Sequence, residues 1–289
     1  MDEKPIIDAD INLVVSTARG TTLAKNGYSL YTIEHLLAAF MGLGIDNVMV
    51  DVDMEEIPIK DGSSIHFINA IKEAGIVEQK AYRKYIEITE PISYKIPDKN
   101  IEMLIEPADK FSATVTIDFE TEILGKQIAT LDDINKFESE IAQCRTFVFL
   151  HELEFLLQNN LIKGGDLNNA IVYVDKPLSS ETMERLKKAF NKKEIAVRPN
   201  GVLDNLSLHH PNEAARHKLL DIIGDLALIG QRIRGKVIAH KPGHRINVEF
   251  AKKLSKIIKQ EKRLNVPTVD MSIPPLMNVT QIMKMLPHR

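Results

Sequence analysis

Apolar residues recur at helical spacing in two segments far apart in the chain. In the first, residues 33–40 place isoleucine, leucine and phenylalanine on one face, with Thr32 as the expected N-cap and Gly42 at the expected end. In the second, residues 212–229 form a longer and more apolar segment that ends near Gly230. The spacing therefore predicts two largely buried helices.

The same order of elements follows both of these helices. After the first come a β-rich run at 48–52, a polar loop and a helix at 64–74. After the second come a strand at 235–240, a Pro-Gly loop and a helix at 247–260. This repetition indicates a duplicated unit of helix, strand, loop and helix.

The middle of the chain is rich in β-type residues, and a polar stretch at 79–83 precedes it. We therefore expect an α+β fold of two similar domains, each a β-sheet packed with helices, over residues 1–80 and 81–264. Residues 265–289 begin with a proline-containing extended linker. The elements predicted in the middle region are strands at 85–92, 101–106, 111–119 and 170–174 and helices near 131–143 and at 151–158.

The amino-acid composition argues against several classes of protein. The 289 residues are 44% hydrophobic, and 37 Lys+Arg against 40 Asp+Glu give a net charge of −3, which argues against a nucleic-acid partner. The single cysteine, Cys144, excludes an internal disulfide and is expected to be a buried apolar residue. No apolar run approaches the roughly 20 residues of a membrane span, and the acidic N-terminus lacks a signal core. We expect a soluble, cytoplasmic protein without a membrane span.

Three polar side chains interrupt the apolar helix at 212–229. His217, Asp221 and Asp225 follow one another at intervals of four and therefore form one stripe of the helix. Ionised carboxylates beside a core need a compensating cation or donors. Alone, such a stripe is more typical of a salt-bridged surface than of a metal site.

The adjacent pair of Glu34 and His35 could supply the further metal ligand and the acid/base group that this stripe lacks. On its own it is a polar helix start, favoured by the helix dipole. However, its helix and the helix at 212–229 hold equivalent places in the two halves of the chain, and together His35, His217 and Asp221 give two imidazoles and one carboxylate. That set leaves one tetrahedral position for water, as in catalytic zinc sites, with Glu34 placed to take a proton from the water.

Seven motifs in chain order resemble one family. The motifs are Thr-Ile-Glu-His at 32–35, Gly-Leu-Gly-Ile-Asp-Asn at 42–47, Glu-Ile-Pro-Ile-Lys-Asp-Gly-Ser at 56–63, Arg-Thr-Phe at 145–147, Gly-Gly-Asp-Leu-Asn-Asn at 164–169, Arg-His-Lys-x-x-Asp-x-x-Gly-Asp at 216–225 and Gly-His at 243–244. From about Pro5 to Lys262 the chain closely resembles the UDP-3-O-acyl-N-acetylglucosamine deacetylases, which are zinc hydrolases of lipid A synthesis.

The resemblance implies a fold, a reaction and a role for each residue. It implies two sheet-and-helix domains with the active site between them, bound Zn²⁺, and a UDP-sugar lipid precursor as the substrate. His35, His217 and Asp221 would be the zinc ligands and Glu34 the general base. The remaining roles would fall to His244 as general acid, Asp225 as its orienting partner, Thr146 at the developing oxyanion, Lys218 in substrate contact and Phe147 at a passage for the acyl chain.

The sequence departs from the family pattern in three places. Family members begin with a segment that contains Gly-Val-Gly-Leu-His-Thr-Gly, so we expect this chain to enter within the first domain, with less stability than a whole one. Lys60 replaces a usual apolar residue. The tail from Pro275 resembles the start of a β-hydroxyacyl-acyl-carrier-protein dehydratase. We therefore expect a piece of a deacetylase–dehydratase fusion, with the dehydratase domain following C-terminally.

Two other functions stay open at this point. One is a metal-free hydratase that uses Glu34 and His244 as acid and base, which the tail suggests. The other is a non-catalytic α+β binding module. Metal content separates the deacetylase from the hydratase, and release of acetate separates it from the binding module.

Overall fold

The structure, a computed structural model, describes residues 4–158, 169–189, 191–203, 206–264 and 282–284. Part of the glycine-rich motif at 164–169 and the linker at 265–281 lie outside the described residues. The helices are α1 (Glu34–Gly42), α2 (Ile65–Ala74), α3 (Phe137–Glu140), α4 (Leu150–Gln158), α5 (Ser180–Ala189), α6 (Glu213–Ala227) and α7 (His244–Leu264). The strands are β1 (Val14–Ser16), β2 (Thr22–Lys25), β3 (Tyr28–Leu30), β4 (Met49–Asp51), β5 (Tyr85–Glu87), β6 (Ile92–Ile96), β7 (Ile101–Glu106), β8 (Ser112–Asp118), β9 (Lys126–Leu131), β10 (Phe147–Phe149), β11 (Ile171–Tyr173), β12 (Arg232–Arg234), β13 (Lys236–His240) and β14 (Ile282–Lys284).

The largest sheet has five strands in the order β6-β7-β13-β8-β9. Strand β13 lies antiparallel to β7 and parallel to β8, so the sheet is mixed. Along β8 buried and half-buried residues alternate strictly, which is typical of a sheet with one covered face. Helix α6 packs against β8 and β9, and α7 packs against β6 and β7. The α+β class predicted from the sequence is confirmed.

A three-stranded antiparallel sheet, β1-β2-β3, precedes α1. Three further strand pairs are parallel: β5 with β12, β10 with β11, and β4 with β14. The pairing of β5 with β12 connects the start of the middle region to the end of α6, because β12 directly follows that helix in the chain. The domain boundary at 79–83 stays a prediction.

The two helices that the sequence placed in equivalent positions pack directly on each other. Gly224 on α6 lies against the backbone of Glu34 on α1, and a Cβ added at Gly224 would come within 2.1 Å of the Glu34 carbonyl oxygen. Only a glycine permits such an approach without displacing a helix. This contact sets the distance between the side chains that α1 and α6 carry.

One continuous core extends from Ile11 to Leu254 and includes residues of α1, α6, α7 and the large sheet. A separate, smaller cluster holds β10, β11, α4 and α5 together around Leu150, Val172 and Leu186. Helix α4 therefore packs in the smaller cluster, while Phe149 of β10 and Ile171 and Tyr173 of β11 also belong to the main core. In the part of the chain that the structure describes, no helix combines the length and the apolar character needed to cross a membrane.

Several predicted elements need correction. Thr32 does not cap α1: it adopts φ +58°, its hydroxyl donates to Glu56, and the N-cap residue is Ile33. The strand expected at 85–92 is broken into β5 and β6, since Pro91 lacks a donor for the ladder. The helix expected near 131–143 is a short 3₁₀ turn followed by α3. Helix α7 begins at His244, three residues earlier than predicted.

Candidate metal centre

The candidate site residues come from the ends and faces of three helices. Glu34 and His35 occupy the first turn of α1, and the stripe His217, Asp221 and Asp225 lies on the face of α6 that meets it. His244 begins α7. These five residues of α1 and α6 are each at most 3% exposed. The structure thus brings together six residues that lie between positions 34 and 244 of the sequence.

Three of these side chains form a cluster with the composition of a metal site. His35, His217 and Asp221 each offer one ligand atom, and the three atoms lie within 4.8 Å of one another. Asp221 Oδ1 lies 3.3 Å from His217 Nε2 and 3.7 Å from His35 Nε2. Two atoms that each lie about 2 Å from one tetrahedral zinc ion are roughly 3.3 Å apart. The spacing therefore suits a metal that the three would share.

The protonation of the two imidazoles also suits a metal. His217 Nδ1 lies 3.1 Å from the Cys144 carbonyl oxygen, which can only accept, so Nδ1 carries the hydrogen and the Nε2 lone pair faces the cluster. Burial lowers the pKa of His217, and burial together with His217 lowers the pKa of His35 to about 3. Both rings are neutral at pH 7, as metal ligation requires.

Asp221 is the charged member of the cluster. Among the described residues, its Oδ1 is a buried oxygen without a hydrogen-bond partner, while Oδ2 accepts from Lys218 Nζ at 2.8 Å. Burial alone would raise the pKa of Asp221, but the neighbouring His217, Lys218 and His244 favour its charged form and hold the pKa below the ordinary range. A buried, ionised oxygen aimed at two neutral imidazoles fits a divalent cation.

Glu34 lies beside this cluster and not within it. One carboxylate oxygen accepts from the Thr21 backbone N–H at 3.0 Å, and the other lies 3.9 Å from His244 Nε2. Burial raises the pKa of Glu34 to about 7, although the charge of His244 opposes the shift. A carboxylate with a pKa near neutrality is well matched to proton transfer at physiological pH.

Replacement of Glu34 by glutamine should stabilise the metal-free protein at neutral pH. The folded-state pKa of about 7 exceeds the ordinary 4.5, so the wild type loses stability as pH rises from about 4.5 to about 7. Glu34→Gln lacks that loss and should unfold with a free energy up to about 3 kcal/mol higher above pH 7. Urea unfolding of both proteins at pH 4.5 and 8 checks this. An equal difference at the two pH values would contradict it.

His244 is held by a second buried carboxylate. Its Nδ1 lies 3.1 Å from Asp225 Oδ2, and its Nε2 lies 3.7 Å from Asp221 Oδ2. Burial disfavours the charged ring, yet Asp221 and Asp225 raise the pKa of His244 to about 9. The ring is therefore an imidazolium at pH 7 whose Nε2–H points toward Asp221 and Glu34.

Thr146 and Phe147 lie where the chain leaves Cys144 and enters β10. The Thr146 backbone N–H donates to Gly62, and a Cβ at Gly62 would come within 2.8 Å of the Thr146 side chain. Phe147 lies under Lys218, whose Nζ is 5.4 Å from the ring centroid. The four rings of Phe119, Phe147, Phe149 and Tyr173 form a cluster of contacts that continues away from Lys218.

Comparison with known proteins decides the family. The family model described as UDP-3-O-acyl N-acetylglycosamine deacetylase matches residues 1–192 and 181–256. The chain belongs to this deacetylase family. The two matched segments fit the two-domain arrangement expected from the sequence.

Named relatives of this deacetylase family member are of two kinds. The "Bifunctional enzyme LpxC/FabZ" of Porphyromonas gingivalis is 42% identical over 289 residues, which is all of this chain and 62% of that protein. The protein of the same name from Bacteroides thetaiotaomicron is 40% identical over the same extent. The "UDP-3-O-acyl-N-acetylglucosamine deacetylase" of Saccharophagus degradans is 38% identical over 275 residues, 93% of this chain and 81% of that protein. The chain thus spans about 62% of the length of its bifunctional relatives.

Sequence reasoning missed two residues of the candidate site. The fully buried Thr21 donates its backbone N–H to Glu34 and its hydroxyl to Asp225 Oδ1 at 2.6 Å, so it bridges the two carboxylates. Asn247 donates to Asp225 Oδ2 at 2.8 Å from one turn beyond His244. Asn247 follows His244 at helical spacing and could have been found from that signal, whereas nothing local marks Thr21.

Proposed function

We propose that this protein is a zinc-dependent hydrolase that removes acetate from UDP-3-O-acyl-N-acetylglucosamine, the committed step of lipid A biosynthesis. One observation carries the proposal: His35 Nε2, His217 Nε2 and Asp221 Oδ1 converge on one point beside a buried carboxyl and a buried imidazolium. The name of the Saccharophagus degradans relative, UDP-3-O-acyl-N-acetylglucosamine deacetylase, supports the choice of substrate.

His35, His217 and Asp221 would hold the zinc ion. When bound by two imidazoles and one carboxylate, zinc supplies a polarised water at neutral pH. The fit rests on the unpartnered Asp221 Oδ1 and on the hydrogen bond that leaves His217 Nε2 free. Lys218 secures the second Asp221 oxygen, so the ligand keeps one orientation.

Glu34 and His244 would divide the proton transfers of amide hydrolysis. Glu34 takes the proton of the attacking water as oxygen bonds to the acetyl carbon. His244 Nε2–H protonates the sugar nitrogen as the C–N bond breaks, so acetate and the amine leave together. Asp225 keeps the His244 ring charged and oriented through Nδ1. The opposite pKa shifts of Glu34 and His244 match this division between base and acid.

Thr146 would stand at the developing oxyanion and Lys218 against the substrate. A single donor at an oxyanion contributes roughly 2.7–4 kcal/mol to the transition state. Thr146 is held in place on both sides, because its N–H donates to Gly62 and its carbonyl accepts from Ile171. Lys218 lies between Asp221 and the Phe147 ring, and hence between the candidate metal site and the aromatic cluster.

The aromatic cluster of Phe119, Phe147, Phe149 and Tyr173 would begin the passage for the acyl chain. Phe119 is 39% exposed and Phe147 half-buried, so apolar surface is accessible next to Lys218. Phe149 and Tyr173 also belong to the main core, whereas α4, which follows Phe149, packs in the separate small cluster. An accessible apolar surface next to the reacting groups is suited to a fatty acyl tail.

Substrates with shorter acyl chains should react more slowly. Each buried CH₂ contributes roughly 0.8 kcal/mol, so removal of four carbons should lower kcat/KM by up to about 3 kcal/mol of activation free energy. Deacetylation rates over a graded acyl series check this. Phe147→Ala should flatten the series, while Ile128→Ala, an exposed apolar residue on β9, should not. A flat series for the wild type would mean that the segment is ordinary core.

Acetate release from the purified protein tests the function. The wild type should release acetate from UDP-3-O-acyl-N-acetylglucosamine, and Glu34→Gln should lose most turnover yet retain the metal. Hydration of an enoyl substrate by metal-free protein would favour the acid/base hydratase. Substrate binding without any acetate would favour the binding module.

Two wider proposals concern the whole protein. We propose that a dehydratase domain follows the deacetylase part, supported by the tail from Pro275 and by the bifunctional names of the relatives. We also propose a cytoplasmic location, supported by the single cysteine of the chain, which permits no internal disulfide of the kind common in oxidising compartments.

A further inference from the structure

Glu213 is a fully buried carboxylate that the proposed reaction does not use. It begins α6 one turn before His217 and so extends the stripe of polar residues toward the helix N-terminus. Its Oε1 accepts from Arg145 N at 3.1 Å and Arg145 Nε at 2.9 Å, and its Oε2 accepts from Arg145 Nη2 at 3.2 Å and His209 N at 2.7 Å. Two of these four bonds are bidentate contacts with a guanidinium that is itself buried.

The Arg145 backbone that Glu213 holds lies between two groups of the site. The preceding carbonyl, of Cys144, accepts from His217 Nδ1, and the following residue is Thr146. Glu213 and His217 lie on the same helix face, so the carboxylate fixes the 144–146 segment to the helix that carries the imidazole. Arg145 Nη2 also donates to the Ser207 carbonyl, which ties the segment to the chain before α6.

We propose that Glu213, together with Arg145, is a positioning residue that fixes the tautomer and direction of the His217 ring and the place of Thr146. The Cys144 carbonyl can keep the hydrogen on His217 Nδ1 only while it stays 3.1 Å from that nitrogen. The partner of a ligating imidazole's second nitrogen orients the ring, and its removal typically weakens metal binding 10- to 100-fold. Glu213 acts one hydrogen bond further from the ring. It holds the Arg145 backbone, and with it the Cys144 carbonyl that is the partner of His217 Nδ1.

A buried ion pair can also serve stability alone, and the test must separate the two roles. Glu213→Gln keeps the size of the side chain but replaces one acceptor by a donor facing Arg145 or His209. The control is Ile105→Val, which trims a fully buried residue of β7 away from the helix stripe. The inference rests on the proposed metal site, but its first readout does not require a metal.

The first readout is the histidine tautomer in metal-free protein, observed by nitrogen NMR with labelled histidine. His217 should be a single Nδ1–H tautomer in the wild type and in Ile105→Val, and a mixture in Glu213→Gln. The second readout is the dissociation constant for Co²⁺ and the visible spectrum of the complex. Glu213→Gln should raise the constant 10- to 100-fold and alter the spectrum, while Ile105→Val should match the wild type.

A less stable Glu213→Gln that keeps the single tautomer and wild-type Co²⁺ affinity would overturn the proposal, since the pair would then be structural only. If Glu213→Gln does not fold, Arg145→Lys answers the same question. It keeps a buried positive charge but loses the Nη2 contact with Ser207. The His217 tautomer and the Co²⁺ dissociation constant should then change in the same direction as expected for Glu213→Gln, but by less. Failure of the wild type to bind Co²⁺ would reject the proposed function, and the tautomers would still decide the role of Glu213.

Discussion

Asp221→Asn is expected to lose its metal and its activity together. The asparagine keeps the shape of the side chain but removes the only anionic member of the cluster, leaving two neutral imidazoles and Lys218. Loss of one partner of a buried charged contact costs roughly 3–5 kcal/mol, so metal affinity should fall roughly 150- to 5,000-fold. Equilibrium dialysis against a metal buffer, with acetate release on the same samples, measures both effects.

Asp133→Asn is the matched control for that substitution. Asp133 is a partly exposed carboxylate that pairs with Lys110, and it is distant in sequence from both α1 and α6. Its side chain also accepts a hydrogen bond from the Asn135 backbone N–H, and the amide oxygen of an asparagine can keep that contact. It should retain wild-type affinity and turnover. Unchanged metal stoichiometry in Asp221→Asn would remove this residue from the metal site.

Gly224→Ala is expected to disrupt the site although it changes no polar side chain. Alanine favours an α-helix over glycine by about 1 kcal/mol, so helix propensity alone predicts a more stable protein. The added Cβ, however, would lie 2.1 Å from the Glu34 carbonyl oxygen and must push α1 away from α6. We expect a stability loss of about 3 kcal/mol or more and loss of metal binding, because His35 moves with α1.

Leu254→Ala provides the comparison. Leu254 is fully buried on α7, and its truncation should cost roughly 2–5 kcal/mol while α1 and α6 stay in contact. Denaturant titration and metal dialysis below the unfolding transition separate the two variants. If Gly224→Ala and Leu254→Ala bind metal equally well, the close approach of the helices does not set the geometry of the site.

The elements that were predicted best from the sequence are those whose apolar and polar residues recur at a regular spacing. Helix α6 was found because its apolar residues and its polar stripe both repeat at helical spacing, and the same reasoning reached His217 and Asp221. Strand β9 was missed because its pattern is weak: Ile128 is 55% exposed, whereas the small Ala129 is buried. Thr32 was misjudged as a cap because no local signal shows that its φ is positive.

A similar physical reason explains which residues of the candidate site could be predicted from the sequence and which could not. His35 and His217 were paired from the duplicated order of elements, and the helices that carry them, α1 and α6, do pack on each other. Thr21 acts through its backbone N–H and a hydroxyl bond to a residue 204 positions away, and such contacts leave no pattern in sequence. Glu213 did have a signal, since it stands four residues before His217 on the same stripe.

Titration of metal-free protein with zinc during acetate release tests the central claim most directly. The substrate is UDP-3-O-acyl-N-acetylglucosamine, and each addition is made below the total concentration of protein. If His35, His217 and Asp221 form one catalytic zinc site, the rate should start near zero, rise in proportion to added zinc and stop rising at one zinc per chain. Full turnover before any zinc is added would contradict the account.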